Sequence, residues 1–161
     1  MRYFNLFFIV VFADQLTKLQ VMKWLQLHEA REVIPGFFNL VYVTNTGAAF
    51  SMLADVDSPW RHWFFLAVGV GAIIGLTVVW YQCRHEHYFY TIATASIAGG
   101  AAGNLIDRLR YGAVIDFLDF YLGNYHWPAF NIADSAICLG AGFFIAGNII
   151  DARAKRNRSI E

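Results

Sequence analysis

The chain is 161 residues long, enough for one domain, and 58% of its residues are hydrophobic, 17% aromatic and only 15% charged. This composition is too apolar for an ordinary water-soluble domain, so the sequence predicts a protein that is solvated by lipid. The formal net charge is zero, and no run of lysine and arginine is interleaved with aromatic residues. We therefore expect no nucleic-acid partner.

Hydrophobic stretches predict four membrane-spanning helices, over about residues 3–22, 63–81, 88–106 and 133–150. Each stretch is close to the roughly 20 residues that cross the hydrocarbon core of a bilayer. The first stretch differs from a removable signal peptide, because it continues into polar residues and lacks a small-residue cleavage site. We expect a single membrane domain over residues 1–161.

Four spans place both termini on the same side of the membrane. Lysine and arginine are divided equally between the two sides, so their count does not decide the orientation. The tail over residues 151–161 is densely basic and directly follows the last span, which favours cytoplasmic termini beside anionic lipid. On this orientation the segments 23–62 and 107–131 face outward.

The first outward segment is predicted to be β-rich over about residues 33–53. Residues 37–44 are mostly β-branched or aromatic, Asn45 to Gly47 form a turn, and residues 48–52 would return as a second strand. The predicted fold class is therefore an all-α integral membrane protein with four transmembrane helices and a small extracytoplasmic β-sheet between helices 1 and 2.

Small residues predict where the spans contact one another. Helices in lipid approach closely where two small side chains lie four residues apart. The pairs with this spacing are Gly71 with Gly75, Gly99 with Gly103, and Gly142 with Ala146. We interpret them as packing contacts rather than as catalytic residues.

Several ionisable residues lie in or beside the predicted spans. A charge inside a bilayer costs a few kcal/mol, so each is a candidate for function. Asp14 and Lys18 share one helix face and can pair, and a structural ion pair explains them as well as a functional role does. Asn104 and Arg108 share a face at the end of the third span. For Asp107 beside them, an interfacial capping cluster and a catalytic role are equally good explanations.

Asp116 and Asp134 are the candidate catalytic pair. Asp116 is flanked by apolar residues, and Asp134 opens the fourth span three residues after Asn131. Capping explains Asn131 but not a carboxylate on an apolar helix. An aromatic connector between the two aspartates would return the chain to the same depth, so they can meet. Asp119, three residues beyond Asp116, is the obvious rival.

Two carboxylates in contact at low dielectric cannot both ionise, so one of them keeps a proton. Aspartyl proteases use such a pair of carboxyl groups. The ionised carboxylate takes a proton from water, and the protonated carboxyl group donates a hydrogen bond to the scissile carbonyl. The chemistry needs no metal or other cofactor, and the scattered histidines form no metal motif. The alternative is a proton-coupled transporter with a relay of aspartates. Against this alternative, the ionisable residues fall near one face of the membrane.

Five sequence blocks, in this order, resemble the lipoprotein signal peptidase (signal peptidase II) family. They are Asp-Gln-Leu-Thr-Lys at 14–18, Asn-Thr-Gly-Ala-Ala-Phe at 45–50, Gly-Gly-Ala-Ala-Gly-Asn-Leu-Ile-Asp-Arg at 99–108, Val-Ile-Asp-Phe at 114–117 and Phe-Asn-Ile-Ala-Asp at 130–134. The resemblance therefore covers nearly the whole chain.

The resemblance implies an enzyme of the bacterial inner membrane with cytoplasmic termini and an active site near the outer leaflet. Its substrate would be a prolipoprotein carrying diacylglycerol on a cysteine, cut just before that cysteine, and its inhibitors would include the cyclic peptide globomycin. Asp116 and Asp134 become the catalytic dyad. The residues implied to line the substrate cleft are Asn45, Gly47, Asn104, Arg108 and Asn131, and those implied to be structural supports are Asp14, Lys18 and Asp107.

Overall fold

The structure is a computed structural model that describes residues 2–47 and 59–158. The described chain is mostly helical. Its helices are α1 (Arg2–Trp24), α2 (Pro59–Cys83), α3 (Tyr88–Tyr111) and α4 (Ile132–Arg158). Short strands lie between them, and these are β1 (Ala30–Ile34), β2 (Phe38–Asn45), β3 (Val114–Leu122) and β4 (Tyr125–His126).

Three of these helices, α1, α2 and α4, are long and apolar enough to cross a membrane. Helix α3 has the length, but its buried residues are mostly small or polar. It packs against each of the other three helices, so neighbouring protein covers it where lipid would cover an outer helix. The predicted helices are confirmed as helices, and the crossing of the membrane by all four stays a prediction.

Close approach of α3 to its neighbours depends on its glycines. A Cβ atom on Gly99 would lie 2.9 Å from the carbonyl oxygen of Phe7, and one on Gly103 would lie 2.5 Å from Oδ2 of Asp14. The predicted contact at Gly99 and Gly103 is therefore present. A Cβ on Gly71, Gly75 or Gly142 would meet nothing within 4 Å, so these glycines make no such contact in the described part of the chain.

The strands form one antiparallel sheet in the order β1-β2-β3-β4. The predicted sheet lay only between helices 1 and 2, with residues 48–52 as the return strand, and those residues lie outside the described part of the chain. Instead, β2 pairs with β1 on one side and with β3, from the α3–α4 segment, on the other. The segment that leads from Asp116 to Asp134 is rich in aromatic residues and turns at Gly123, as predicted, but its first part forms a strand, β3, that the sequence did not reveal because two aspartates interrupt its apolar residues.

The sheet is fixed to the helices by a buried apolar cluster. Val21 near the end of α1 and Leu25 directly after it pack against Phe117 of β3, with Leu40 and Ile132 beside them. Burial of each such side chain contributes about 1.5–3 kcal/mol. The cluster therefore holds β2, β3 and the start of α4 at one end of the helices.

Helix α3 ends at this same end of the molecule and leads directly into β3. Gly112 adopts φ 75°, and its N–H donates to the carbonyl oxygen of Arg108 at 3.0 Å. A left-handed glycine in this position closes a helix and reverses the chain. Asp116 on β3 is thereby brought back beside the end of α3.

Candidate active site

Asp116 lies on β3 with only 3% of its surface exposed. Its Oδ1 accepts a hydrogen bond of 2.7 Å from Nδ2 of Asn131, and its Oδ2 accepts one of 3.3 Å from Nδ2 of Asn45. Burial, and then the nearby charge of Asp134, raise the pKa of Asp116 to about 7, while the two amide donors act in the opposite direction. Asp116 is therefore a carboxyl group that can hold a proton near neutral pH.

Asp134 lies in the first turn of α4 and is half-buried. Its Oδ1 accepts a hydrogen bond of 2.8 Å from Nδ2 of Asn104, and its Oδ2 accepts one of 3.3 Å from the backbone N–H of Asn131. Asp134 thus has a hydrogen-bond donor on each carboxylate oxygen, and it lies at the positive end of α4.

Asn131 joins the two aspartates and is completely buried, with 0% exposed. Its Oδ1 accepts the backbone N–H of Asp134 at 2.9 Å, which caps α4, as the sequence predicted. Its Nδ2 donates to Asp116 and, at 3.2 Å, to Oδ1 of Asn104. One side chain thus contacts both elements that carry the candidate dyad, and the structure brings Asp116 and Asp134 together.

The orientation of Asn104 is set by a lysine. Its Oδ1 accepts a hydrogen bond of 3.0 Å from Nζ of Lys18. An ammonium group has donors only, so it must face the amide oxygen and thereby turns the amide nitrogen away. That nitrogen is the one that donates to Asp134. Lys18 therefore determines which atom of Asn104 meets the candidate dyad.

Lys18 is 1% exposed and lies between two buried carboxylates. Its Nζ is 2.8 Å from Oδ2 of Asp14 and 2.7 Å from Oδ2 of Asp107. Asp14 also accepts the backbone N–H of Ala133 at 2.9 Å, and Asp107 accepts that of Ile115 at 3.1 Å. The cluster therefore ties α1 and α3 to the two backbone segments that carry Asp116 and Asp134.

Gln15 is a member of this cluster that the sequence did not assign to the site. Its Nε2 donates to Oδ1 of Asp107 at 2.8 Å and to the carbonyl oxygen of Gly103 at 3.2 Å. A polar amide inside a hydrophobic span, next to Asp14, was the available signal. The side chain completes the hydrogen bonding of Asp107.

Asn45, Gly47 and Arg108 lie together at the edge of the site. Nη2 of Arg108 donates to the carbonyl oxygen of Gly47 at 3.0 Å, and the guanidinium lies 4.9 Å from the ring centroid of Phe65. The N–H of Gly47 donates to Oδ1 of Asn45 at 2.9 Å. Arg108 and Asn45 are half-buried, so they border the dyad and keep some exposed surface.

The rival carboxylate, Asp119, belongs to a different cluster. It accepts hydrogen bonds of 2.9 Å from Nδ2 of Asn39 and is 2.9 Å from Nδ1 of His126. Residues three apart on a strand point to opposite faces, which places Asp119 on the other side of β3 from Asp116. The structure therefore separates Asp119 from the candidate dyad.

The family model described as signal peptidase (SPase) II matches residues 6–150, which include every residue of the site. The chain belongs to the signal peptidase II family. It is similar to the lipoprotein signal peptidase of Cupriavidus taiwanensis, with 49% identity over 88% of this chain and 78% of the relative. It is also similar to that of Yersinia enterocolitica, with 45% identity over 96% of this chain and 90% of the relative.

Solved structures agree with this membership. A bacterial membrane enzyme whose structure was determined by the in meso method at 2.3 Å resolution matches with a TM-score of 0.84 and 30% identity. The match covers 95% of this chain and 90% of that one. Family and fold together support a membrane-embedded protease, and they give no support to the transporter alternative.

Proposed function

We propose that this signal peptidase II removes signal peptides from diacylglyceryl-modified bacterial prolipoproteins, cutting just before the lipidated cysteine, with Asp116 and Asp134 as its catalytic dyad. The observation that carries the proposal is the pair of carboxylates on β3 and α4 that contact one buried asparagine, Asn131. The reaction is the hydrolysis of a peptide bond without a metal or other cofactor.

The different surroundings of the two carboxylates assign their roles. We assign Asp134, which has a hydrogen-bond donor on each oxygen, as the base that takes a proton from the attacking water, whose oxygen forms a bond to the scissile carbonyl carbon. Asp116, with its pKa raised to about 7, holds the other proton and donates it in a hydrogen bond to the carbonyl oxygen. The carbon–nitrogen bond of the resulting tetrahedral intermediate then breaks, and the leaving amine takes up the proton that Asp134 removed from the water.

Asn104 and Asn131 are positioning residues in this proposal. The resemblance implied that they line the substrate cleft, yet their amides are directed at Asp134 and Asp116, and Asn131 has no exposed surface. Substrate contact then falls to Asn45, Gly47 and Arg108 at the edge of the site. Their polar groups can pair with the peptide backbone of the substrate, which would otherwise be costly to bury.

The supporting cluster of Asp14, Lys18 and Asp107 acts on the reaction only through these asparagines and the backbone. Its charges have no route to the substrate because they are buried and bonded to one another. A buried ion pair gives weak net stability, but removal of one partner leaves a costly unpaired charge. We therefore assign the cluster a structural role.

We place the enzyme in the bacterial inner membrane with both termini in the cytoplasm and the dyad near the outer leaflet. The dyad lies where α3 ends and α4 begins, at the opposite end of the helices from Arg2 and the basic tail. A site open to lipid can retain the diacylglyceryl chains, since burial of each methylene contributes about 0.8 kcal/mol. Globomycin-type cyclic peptides would compete for the same cleft.

Purified protein incubated with a lipidated and an unlipidated form of one prolipoprotein tests this function. We expect cleavage of the lipidated form alone, at the bond before the modified cysteine. Equal cleavage of the unlipidated form would make the chain a general membrane protease. Cleavage of neither form by folded protein would contradict the proposed activity.

A further inference from the structure

A cavity lies at the opposite end of α3 from the candidate dyad, where α1 begins with Arg2. It has a volume of about 600 Å³ and is bounded by the start of α1, the turn between α2 and α3, and the start of α3. Arg2, Arg84 and His85 contribute its polar rim. The signal peptidase reaction uses none of these residues.

The floor of the cavity is apolar and well packed. Leu6, Trp80 and Ile92 line it, and the rings of Tyr3 and Trp80 stack with their centroids 4.4 Å apart. The hydroxyl of Tyr3 is held by a 3.0 Å hydrogen bond with Oγ1 of Thr77. A floor of this kind favours a hydrocarbon ligand over a freely soluble ion.

The guanidinium groups of Arg2 and Arg84 have no carboxylate within ion-pairing distance in residues 2–47 and 59–158. Arg84 is held in place by its own neighbours, since its guanidinium lies 3.8 Å from the ring centroid of Tyr81 and its Nε donates to Nε2 of His85 at 3.0 Å. Among the described residues, neither Nη group of Arg84 has a hydrogen-bond partner, so both remain for a ligand. Such a fork matches the oxygens of a phosphate.

The start of α3 adds to the positive potential. Tyr88 and Thr91, in the first turn of this 24-residue helix, both line the cavity, so the positive end of the helix dipole faces it. Glu86 borders the cavity as well. Two arginines and a helix N-terminus outweigh this one carboxylate, so the described rim attracts anions.

We propose that this cavity binds an anionic phospholipid, with the phosphate between Arg2 and Arg84 and the beginning of an acyl chain along the apolar floor. A phospholipid joins the same two chemistries, an anionic headgroup and an apolar chain, so it matches a cationic rim that borders an apolar floor. The lipid would fill the space between α1 and the α2–α3 turn, and it would be a structural ligand separate from the substrate.

Native mass spectrometry of the detergent-purified full chain tests the proposal. The probe is dioleoylphosphatidylglycerol, compared with dioleoylphosphatidylcholine, which has the same chains but no net charge, and with inorganic phosphate. We expect the wild-type chain to retain phosphatidylglycerol in preference to phosphatidylcholine. Arg84→Gln and Arg2→Gln should each weaken retention about tenfold, the effect of one charge-assisted hydrogen bond.

Arg153→Gln is the matched control, because Arg153 lies in the basic tail at the same end of the protein but does not line the cavity. It should leave retention unchanged, and all three variants should still cleave prolipoprotein in detergent, which shows that they are folded. The proposal is overturned if Arg153→Gln weakens retention as much as Arg84→Gln, since the attraction would then be diffuse. Equal retention of phosphatidylcholine, or displacement of the lipid by an equal concentration of inorganic phosphate, would also overturn it.

Discussion

Replacement of Asn131 separates the contribution of the dyad's geometry from that of helix α4. Asn131→Ala removes the 2.7 Å hydrogen bond to Asp116 and the cap on the backbone N–H of Asp134 in one step. It also deprives Oδ1 of Asn104 of one of its two donors. Asn131→Ser keeps an oxygen that can cap the helix but has no amide to reach Asp116.

The expected magnitudes follow from these contacts. A buried hydrogen bond to a charged group contributes about 1.5–3 kcal/mol, and an N-cap about 1 kcal/mol, so Asn131→Ala should destabilise the protein by about 3 kcal/mol. Asn131→Ser should recover about 1 kcal/mol of this loss. Turnover should fall about 100-fold in both variants, because Asp116 is no longer held in position.

The assay is the rate of cleavage of a lipidated prolipoprotein per folded molecule, together with the thermal unfolding midpoint in detergent. The matched control is Asn39→Ala, which removes the 2.9 Å hydrogen bond that the side-chain amide of Asn39 donates to Asp119, the carboxylate outside the dyad. It should lower the midpoint slightly and leave turnover unchanged. Wild-type turnover in Asn131→Ser, or an equal loss in Asn39→Ala, would refute the positioning role.

Three further predictions concern the surrounding residues. Asn45→Ala removes a hydrogen-bond donor that favours the ionised form of Asp116, so the pKa of Asp116 should rise above 7. The fall of the cleavage rate at alkaline pH should then move to higher pH. Because the lost hydrogen bond is long, we expect this movement to be about half a pH unit. A pH–rate profile checks the direction, and a shift to lower pH would contradict it. Lys18→Ala leaves two buried carboxylates without their cation and should cost about 3–5 kcal/mol, seen as lost yield or a lower midpoint, with less effect on turnover per folded molecule. Unchanged stability with lost turnover would move Lys18 into the active site. Arg108→Lys keeps the charge but not the planar fork, so we expect a loss of activity in the cleavage assay, and full activity would show that charge alone is sufficient.

The sequence was sufficient to predict the four helices and the meeting of Asp116 with Asp134. Long apolar stretches report helices in lipid directly, and ionisable residues are conspicuous against that background. The same contrast singled out Lys18, whose pairing with Asp14 follows from helical spacing.

The sheet was only half predictable, because its central partner is distant in sequence. The β-branched residues of β2 predicted a strand. The neighbouring sequence does not show, however, that Thr44 lies opposite Ile115 rather than a residue of a nearby return strand. In β3 the carboxylates of Asp116 and Asp119 interrupt the apolar pattern, and they do so for separate reasons. One belongs to the candidate dyad and the other to a cluster with His126.

The roles of the asparagines could not be read from the sequence either. An amide can donate, accept or do both, so a motif position alone does not show which atom faces which neighbour. The structure decides it at Asn104, where Lys18 occupies the oxygen side, and at Asn131, where the start of α4 does so. Both amide nitrogens are thereby left for the aspartates.

The most direct test of the dyad is the cleavage rate of purified Asp116→Asn and Asp134→Asn on a lipidated prolipoprotein, with Asp119→Asn as the matched control. An amide keeps the shape of each side chain but can neither accept a proton from water nor share one with its partner. We predict no detectable cleavage by either dyad variant, thermal midpoints close to that of the wild type, and nearly full activity in Asp119→Asn. Full activity in Asp116→Asn or Asp134→Asn, or loss of activity confined to Asp119→Asn, would contradict the account.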